Sequence, residues 1–178
     1  MMPDDQQLYP DAAQRIMTLM KNAFGPEGEV FNAYFLGLPN DTLIAEDAFP
    51  CMIVDKVVGT YKVGPTMTDD ITEDVYIHIM VDVKTGFGRP EADNPVKRQL
   101  QTLVEGRDPS TGSLLPGTVM YAVRKNLTLN SPTAANLPTI NNEVHISYDA
   151  PKRPDMPETR EAIITITVSE RQIIGVRS

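Results

Sequence analysis

The run "EDVYIHIMVDVK", residues 73–84, sets the strongest limit on what this chain can become. Val75, Ile77, Ile79, Val81 and Val83 recur at every second position, and only an extended strand places all five on one face. The chain therefore needs a sheet with a covered side. The other face of the same strand carries Tyr76, His78, Met80, Asp82 and Lys84, a mixture suited to solvent or a partner. A second run of this kind, "EAIITITVSER", sets Ala162, Ile164, Ile166 and Val168 against Ile163, Thr165, Thr167 and Ser169.

Three segments follow the helical period instead. From Asp11 to Phe24, the residues Ala12, Ile16, Leu19, Met20 and Ala23 fall on one stripe. Asp11 is placed to cap this helix with Gln14 three residues on, and Gly25-Pro26 to end it. "NPVKRQLQTLVEG" has Asn94 at the cap, Pro95 at the first helical position, Gly106 at the stop, and a stripe of Val96, Leu100, Leu103 and Val104. A third helix, roughly Gly117 to Leu127, buries Val119, Met120, Val123 and Leu127. "EVFNAYFLGLP", "PCMIVDKVVG" and "EVHISYD" read as further strands. "YKVGPTMTDDITED", "GFGRPEAD" and "NSPTAANLPTINN" read as loops or hairpin tips, because turn-forming residues crowd them. Helix, strands, two helices, strands is the order of an α+β domain. Its sheet is mostly antiparallel, with the N-terminal helix and the two central helices packed on one face. At 178 residues the chain suits a single domain, 1–178.

Charge narrows the function. Residues 1–75 hold 13 acidic and 4 basic groups, a net −9, while residues 76–178 hold 11 and 12, a net +1. An acidic protein with no basic stripe is poorly built to grip phosphate backbones, so sequence-specific DNA binding is disfavoured. No apolar run reaches the roughly 20 residues of a membrane span, and the acidic start "MMPDDQQLYPD" predicts no signal or transit peptide. The one cysteine, Cys51 in "PCMIV", excludes an internal disulfide framework and reads as a buried structural thiol.

The motifs with chemical promise fail on their context. In "LVEGRDPSTGSLLPGTVMYAVRKNL", residues 103–127, a helix precedes the glycine-containing turn. A phosphate-binding loop needs a strand there, followed by Gly-Lys-Ser/Thr. The joint between the helices is too long for a DNA-reading helix-turn-helix, and Arg124 and Lys125 sit at the wrong end of the second helix. The stretch reads as a connector. Asp69, Asp70, Glu73 and Asp74 lie in one polar segment and could hold Mg²⁺ or Ca²⁺ in a small metal-dependent enzyme. "DDITED", however, lacks the alternating ligands and central glycine of a calcium-binding EF-hand loop. His78 and His145 sit on separate strands and read as surface or hydrogen-bonded residues. No nucleophile, base and orienting partner come together, so the reading is of a non-enzyme without metal or cofactor.

The N-terminal helix, "FPCMIV", the alternating "VYIHIMVDV", "LVEGRD", the "LLPGTVMYAVRKNL" helix and the terminal strand pair together resemble the tail terminator (tail completion) proteins of long-tailed bacteriophages. The resemblance covers most of the chain. It implies a virion structural protein, made in the bacterial cytoplasm, that caps the tail tube as a homohexameric ring. It also implies tail-tube and neck or head-completion proteins as partners, with DNA passing through unbound and no membrane, enzymatic activity or cofactor. A different station among the phage neck or head–tail connector proteins, or a small adaptor binding one protein partner, fits the same pattern. Under this reading the segments 56–74 and 84–94 are the loops that reach neighbours. Asp69, Asp70, Glu73 and Asp74 then line the lumen or a subunit interface.

Overall fold

The computed structural model describes residues 10–37, 44–82, 95–129, 136–148 and 159–173. Helix α1 (Ala12–Phe24) comes first, capped by a reciprocal pair of hydrogen bonds between Asp11 and Gln14 and ended at Gly25. Strand β1 (Ala33–Leu36) follows, then a single 3-10 turn at Glu46–Ala48. The long hairpin of β2 (Cys51–Val63) and β3 (Thr68–Asp82) comes next. After it lie α2 (Pro95–Glu105), α3 (Val119–Lys125), β4 (Asn136–Tyr148) and β5 (Thr159–Ile173). The five strands form one sheet in the order β1-β2-β3-β5-β4, antiparallel except for the β1–β2 pair. The α+β class and its mostly antiparallel sheet are as the periodicity requires.

The core follows the alternation. Val75, Ile77, Ile79 and Val81 of β3 and Ala162, Ile164, Ile166 and Val168 of β5 are buried with Met52 and Val54 of β2. The helices cover this face with Ile16, Met20, Val96, Leu100, Val104, Val119 and Val123. A buried Leu or Val contributes ~1.5–3 kcal/mol, so each stripe docks its helix firmly. Leu103 and Leu127 are only partly buried at the margin. Val83, Lys84, the loop 84–94 and the cap residue Asn94 lie outside the described residues.

Three expectations need correction. Residues 56–74 are not the neighbour-reaching loop of the resemblance but the hairpin that the sequence also allowed. β2 and β3 run through them in register from Cys51↔Met80 to Val63↔Asp69, with a bulge at Val57, and only Gly64–Met67 turn. β3 survives its polar composition because it is paired on both sides, to β2 and along its whole length to β5. Residues 136–142 likewise join β4 instead of extending the loop before it. They suit an edge strand, where Pro138 and irregular register between Ile140 and Val144 are tolerated.

The far face of β3 is the third correction, since it is not simply solvent-facing. Met80 packs with Cys51 and Ile53 in a small second core, flanked by Ala33, Phe35, Ile44 and Phe49. Asn32 fastens the segment before β2 by donating to the carbonyls of Asp47 (3.1 Å) and Phe49 (2.6 Å).

Candidate interaction surface

The acidic segment resolves into two pairs on opposite faces, because successive strand residues point to opposite sides. Asp69 and Glu73 share the helix-facing side with Ile71. Asp70 and Asp74 share the other. Four ligands for one ion are therefore not assembled, and among the described residues no group of three or more His, Cys, Asp or Glu could hold a metal.

Each of three acids has a structural partner. Glu73 is buried, accepts from Lys56 Nζ at 2.5 Å, and accepts the first N–H of α1, from Ala12, at 2.9 Å. A carboxylate at a helix N-terminus faces the positive end of the backbone dipole. The Glu73 carboxylate beside it holds the Lys56 ammonium above the usual lysine range, mainly through their hydrogen bond. Asp70 forms a forked pair with Arg171 of β5, at 2.5 and 3.1 Å, which holds its carboxyl below the ordinary aspartate value. Asp74 accepts from the Thr167 hydroxyl at 2.7 Å. The expected lumen or interface loop Asp69, Asp70, Glu73 and Asp74 is thus a strand segment, most of whose charge is turned to holding the sheet and α1.

Of the two readings of His78, the structure takes the hydrogen-bonded one. His78 is 5 % exposed and its Nδ1 lies 2.5 Å from Glu161 Oε1, itself buried. Its Nε2 is buried with no hydrogen-bond partner among the described residues. A base held by a carboxylate is half of a catalytic arrangement, but among the described residues no nucleophile bonds the other nitrogen. The alternation that put His78 on the far face was legible; the segment 44–50 that helps to form the second core there was not. His145, by contrast, is exposed beside Glu143, as read.

The connector at 106–118 satisfies itself. The Asp108 carboxylate accepts from Ser110 N, Ser110 Oγ and Thr111 N at 2.5–2.9 Å, and the Ser110 hydroxyl is the main cause of its lowered pKa. Arg107 donates to the carbonyl of Gly112, whose φ of 71° suits glycine. The turn reverses the chain.

What remains open is the outer half of the hairpin. Val57, Val58, Tyr61, Val63 and the tip residue Met67 are 44–83 % exposed. β1 pairs only with Cys51–Val54, so among the described residues no strand joins residues 55–63 on that side. The tip is also strained, with Thr66 and Met67 at φ 53° and 57°. No protein-family model and no curated protein matches the chain.

Proposed function

We propose that this chain is a virion structural protein of the tail-terminator kind, a ring subunit that caps the tail tube at the head–tail joint of a long-tailed bacteriophage. The observation that carries the reading is the outer half of the β2–β3 hairpin. It is a strand pair with exposed apolar side chains and, among the described residues, an open edge, which suits contact with neighbouring subunits better than it suits chemistry. The acids at Glu27, Glu29, Glu46, Asp47 and Asp55 give such a ring a negative surface that DNA passes without sticking, within the ~8 Å reach of charge at physiological salt. Nothing in the reading calls for a cofactor, a metal or an enzymatic step. The test is negative-stain imaging of the purified protein with and without isolated tail tubes. Rings seated on one end of the tubes support the reading, and tubes that stay bare at saturating protein refute it.

A further inference from the structure

We infer that the outer face of α2, with the connector that follows it, is a docking groove for a short acidic segment of a partner protein, gripped between Arg98 and Arg107. The groove is argued from its own residues and does not depend on the ring reading.

A groove of about 480 Å³ runs along α2, lined by Arg98, Gln101, Thr102, Glu105, Gly106 and Arg107. The four helical members recur at three- and four-residue spacing and lie opposite the buried Val96, Leu100 and Val104, so they form one outward stripe. The connector folds back to close the far end. Leu115 N donates to Gly106 O at 2.8 Å, and Arg107 pairs with Leu114 in an isolated bridge. There the Arg107 guanidinium donates to Gly112 O at 2.9 Å, while Asp108 ties down the same turn through Ser110 and Thr111. A guanidinium ordered in advance loses little further freedom on binding, and its other N–H groups can still fork onto a carboxylate. The polar turn therefore does more than reverse the chain: it holds Arg107 beside α2.

Charge chooses the occupant. In a chain of net charge −8, residues 95–115 carry Lys97, Arg98 and Arg107 against two carboxylates, Glu105 and Asp108. Both carboxylates are engaged, Glu105 by the Tyr148 phenol at 2.7 Å and Asp108 by its own turn. Arg107, just past the end of α2, complements the backbone dipole. Arg98, near the start, opposes it, so the dipole accounts for one arginine and not the other. An acidic ligand beside Arg98 answers both the guanidinium and the positive end of the helix. From Arg98 to Glu105 the stripe is ~10 Å long, the reach of about three residues of extended chain. That length suits a short segment with carboxylates a few positions apart. A nucleic acid strand is less suited, because it would also meet the acids that give the chain its charge.

A defined probe tests the groove on the full-length chain. The probe is a fluorescein-labelled peptide of alternating glutamate and aspartate, with the glutamine–asparagine peptide as its neutral counterpart. Anisotropy should show saturable binding of the acidic peptide, with a Kd on the order of 100 µM at low salt, and no binding of the neutral one. Added salt should weaken it. Arg98→Glu, at an exposed position, should raise the Kd at least ~tenfold, while Lys125→Glu, the same change of net charge on α3, should leave it within ~twofold. Arg107→Lys keeps the charge but not the fork and should fall between them. Peptide-induced amide shifts should centre on Gln101, Thr102 and Gly106. If Arg98→Glu disturbs the amide spectrum beyond the groove, Arg98→Gln carries the same comparison. No binding at millimolar peptide, equal weakening by Arg98→Glu and Lys125→Glu, or a single-stranded DNA oligonucleotide that displaces the peptide at lower concentration than unlabelled peptide does overturns the inference. A chain that caps tail tubes yet ignores the peptide sinks this groove and spares the proposed function. A chain that binds the peptide through Arg98 but never seats on tubes does the reverse.

Discussion

Glu73→Gln isolates the physical claim that this carboxylate holds α1 to the sheet. The native group is buried, bonded to Lys56 Nζ at 2.5 Å and to Ala12 N at 2.9 Å. The amide keeps the shape and one acceptor but removes the charge that answers Lys56 and the helix N-terminus. Breaking one side of a buried ion pair costs ~3–5 kcal/mol. Lys56 is 32 % exposed and can turn to water, which brings the expectation down to ~2–3 kcal/mol. For a chain of this length that is a fall in Tm of ~4–12 °C. Urea and thermal unfolding measure it, with Asp69→Asn as the control that should stay within ~0.5 kcal/mol of wild type. A double-mutant cycle with Lys56→Met should return a coupling of ~1–3 kcal/mol. The sign with pH is fixed by the raised pKa of Lys56. The folded state favours its protonated form, so the contribution is complete below the ordinary lysine value and fades as pH rises through the higher folded value. On the alkaline side the gap between wild type and Glu73→Gln should narrow above about pH 10.5. Equal stability of Glu73→Gln and Asp69→Asn at neutral pH would refute the reasoning.

Leu100→Asp places a charge at a fully buried position and should abolish soluble folded protein, while Gln101→Asp, on the exposed face of α2, should express and melt like wild type. Thr66→Gly relieves a left-handed backbone at the hairpin tip and should raise stability by ~0.5–1 kcal/mol in urea; a loss would mean the tip is held by contacts that the threonine makes. Tyr148→Phe deletes the 2.7 Å bond from the phenol to Glu105 that ties β4 to α2 and should cost ~1 kcal/mol by the same assay. Burial, and then that bond, push the phenol above the ordinary tyrosine value, so wild type should show one more tyrosine resisting alkaline ionisation than the variant does.

The parts legible in the sequence are those whose own periodicity decides them. α1 starts at Asp11 and Gln14 as read, although its buried face takes in Ala13, Met17 and Phe24 and leaves Ala23 exposed, and the described inward rows of β3 and β5 lie where the apolar spacing put them. The hairpin was only partly legible: past Gly59 a hairpin tip and a loop both stayed open, because Gly64-Pro65 and four acids are depleted in strands, and a polar strand paired on both sides owes its form to its neighbours. The same holds for the acidic cluster. Local spacing brings Asp69, Asp70, Glu73 and Asp74 together, but their roles are assigned by Lys56, Thr167 and Arg171, distant residues that no local pattern ties to them. His78 met Glu161 for the same reason, across 83 positions of sequence.

The central claim is a structural role at the end of a tail, and electron microscopy of lysates tests it most directly. Cells producing the phage with this gene inactivated should yield filled heads and separate tails, the tails of abnormal length, and complementation by the wild-type chain should restore joined virions. Replacing residues 62–70 with a two-residue turn, which removes the hairpin tip but leaves Ile71 in place, should complement poorly although the protein folds. Normal joined, infectious particles from the inactivated gene would contradict the account.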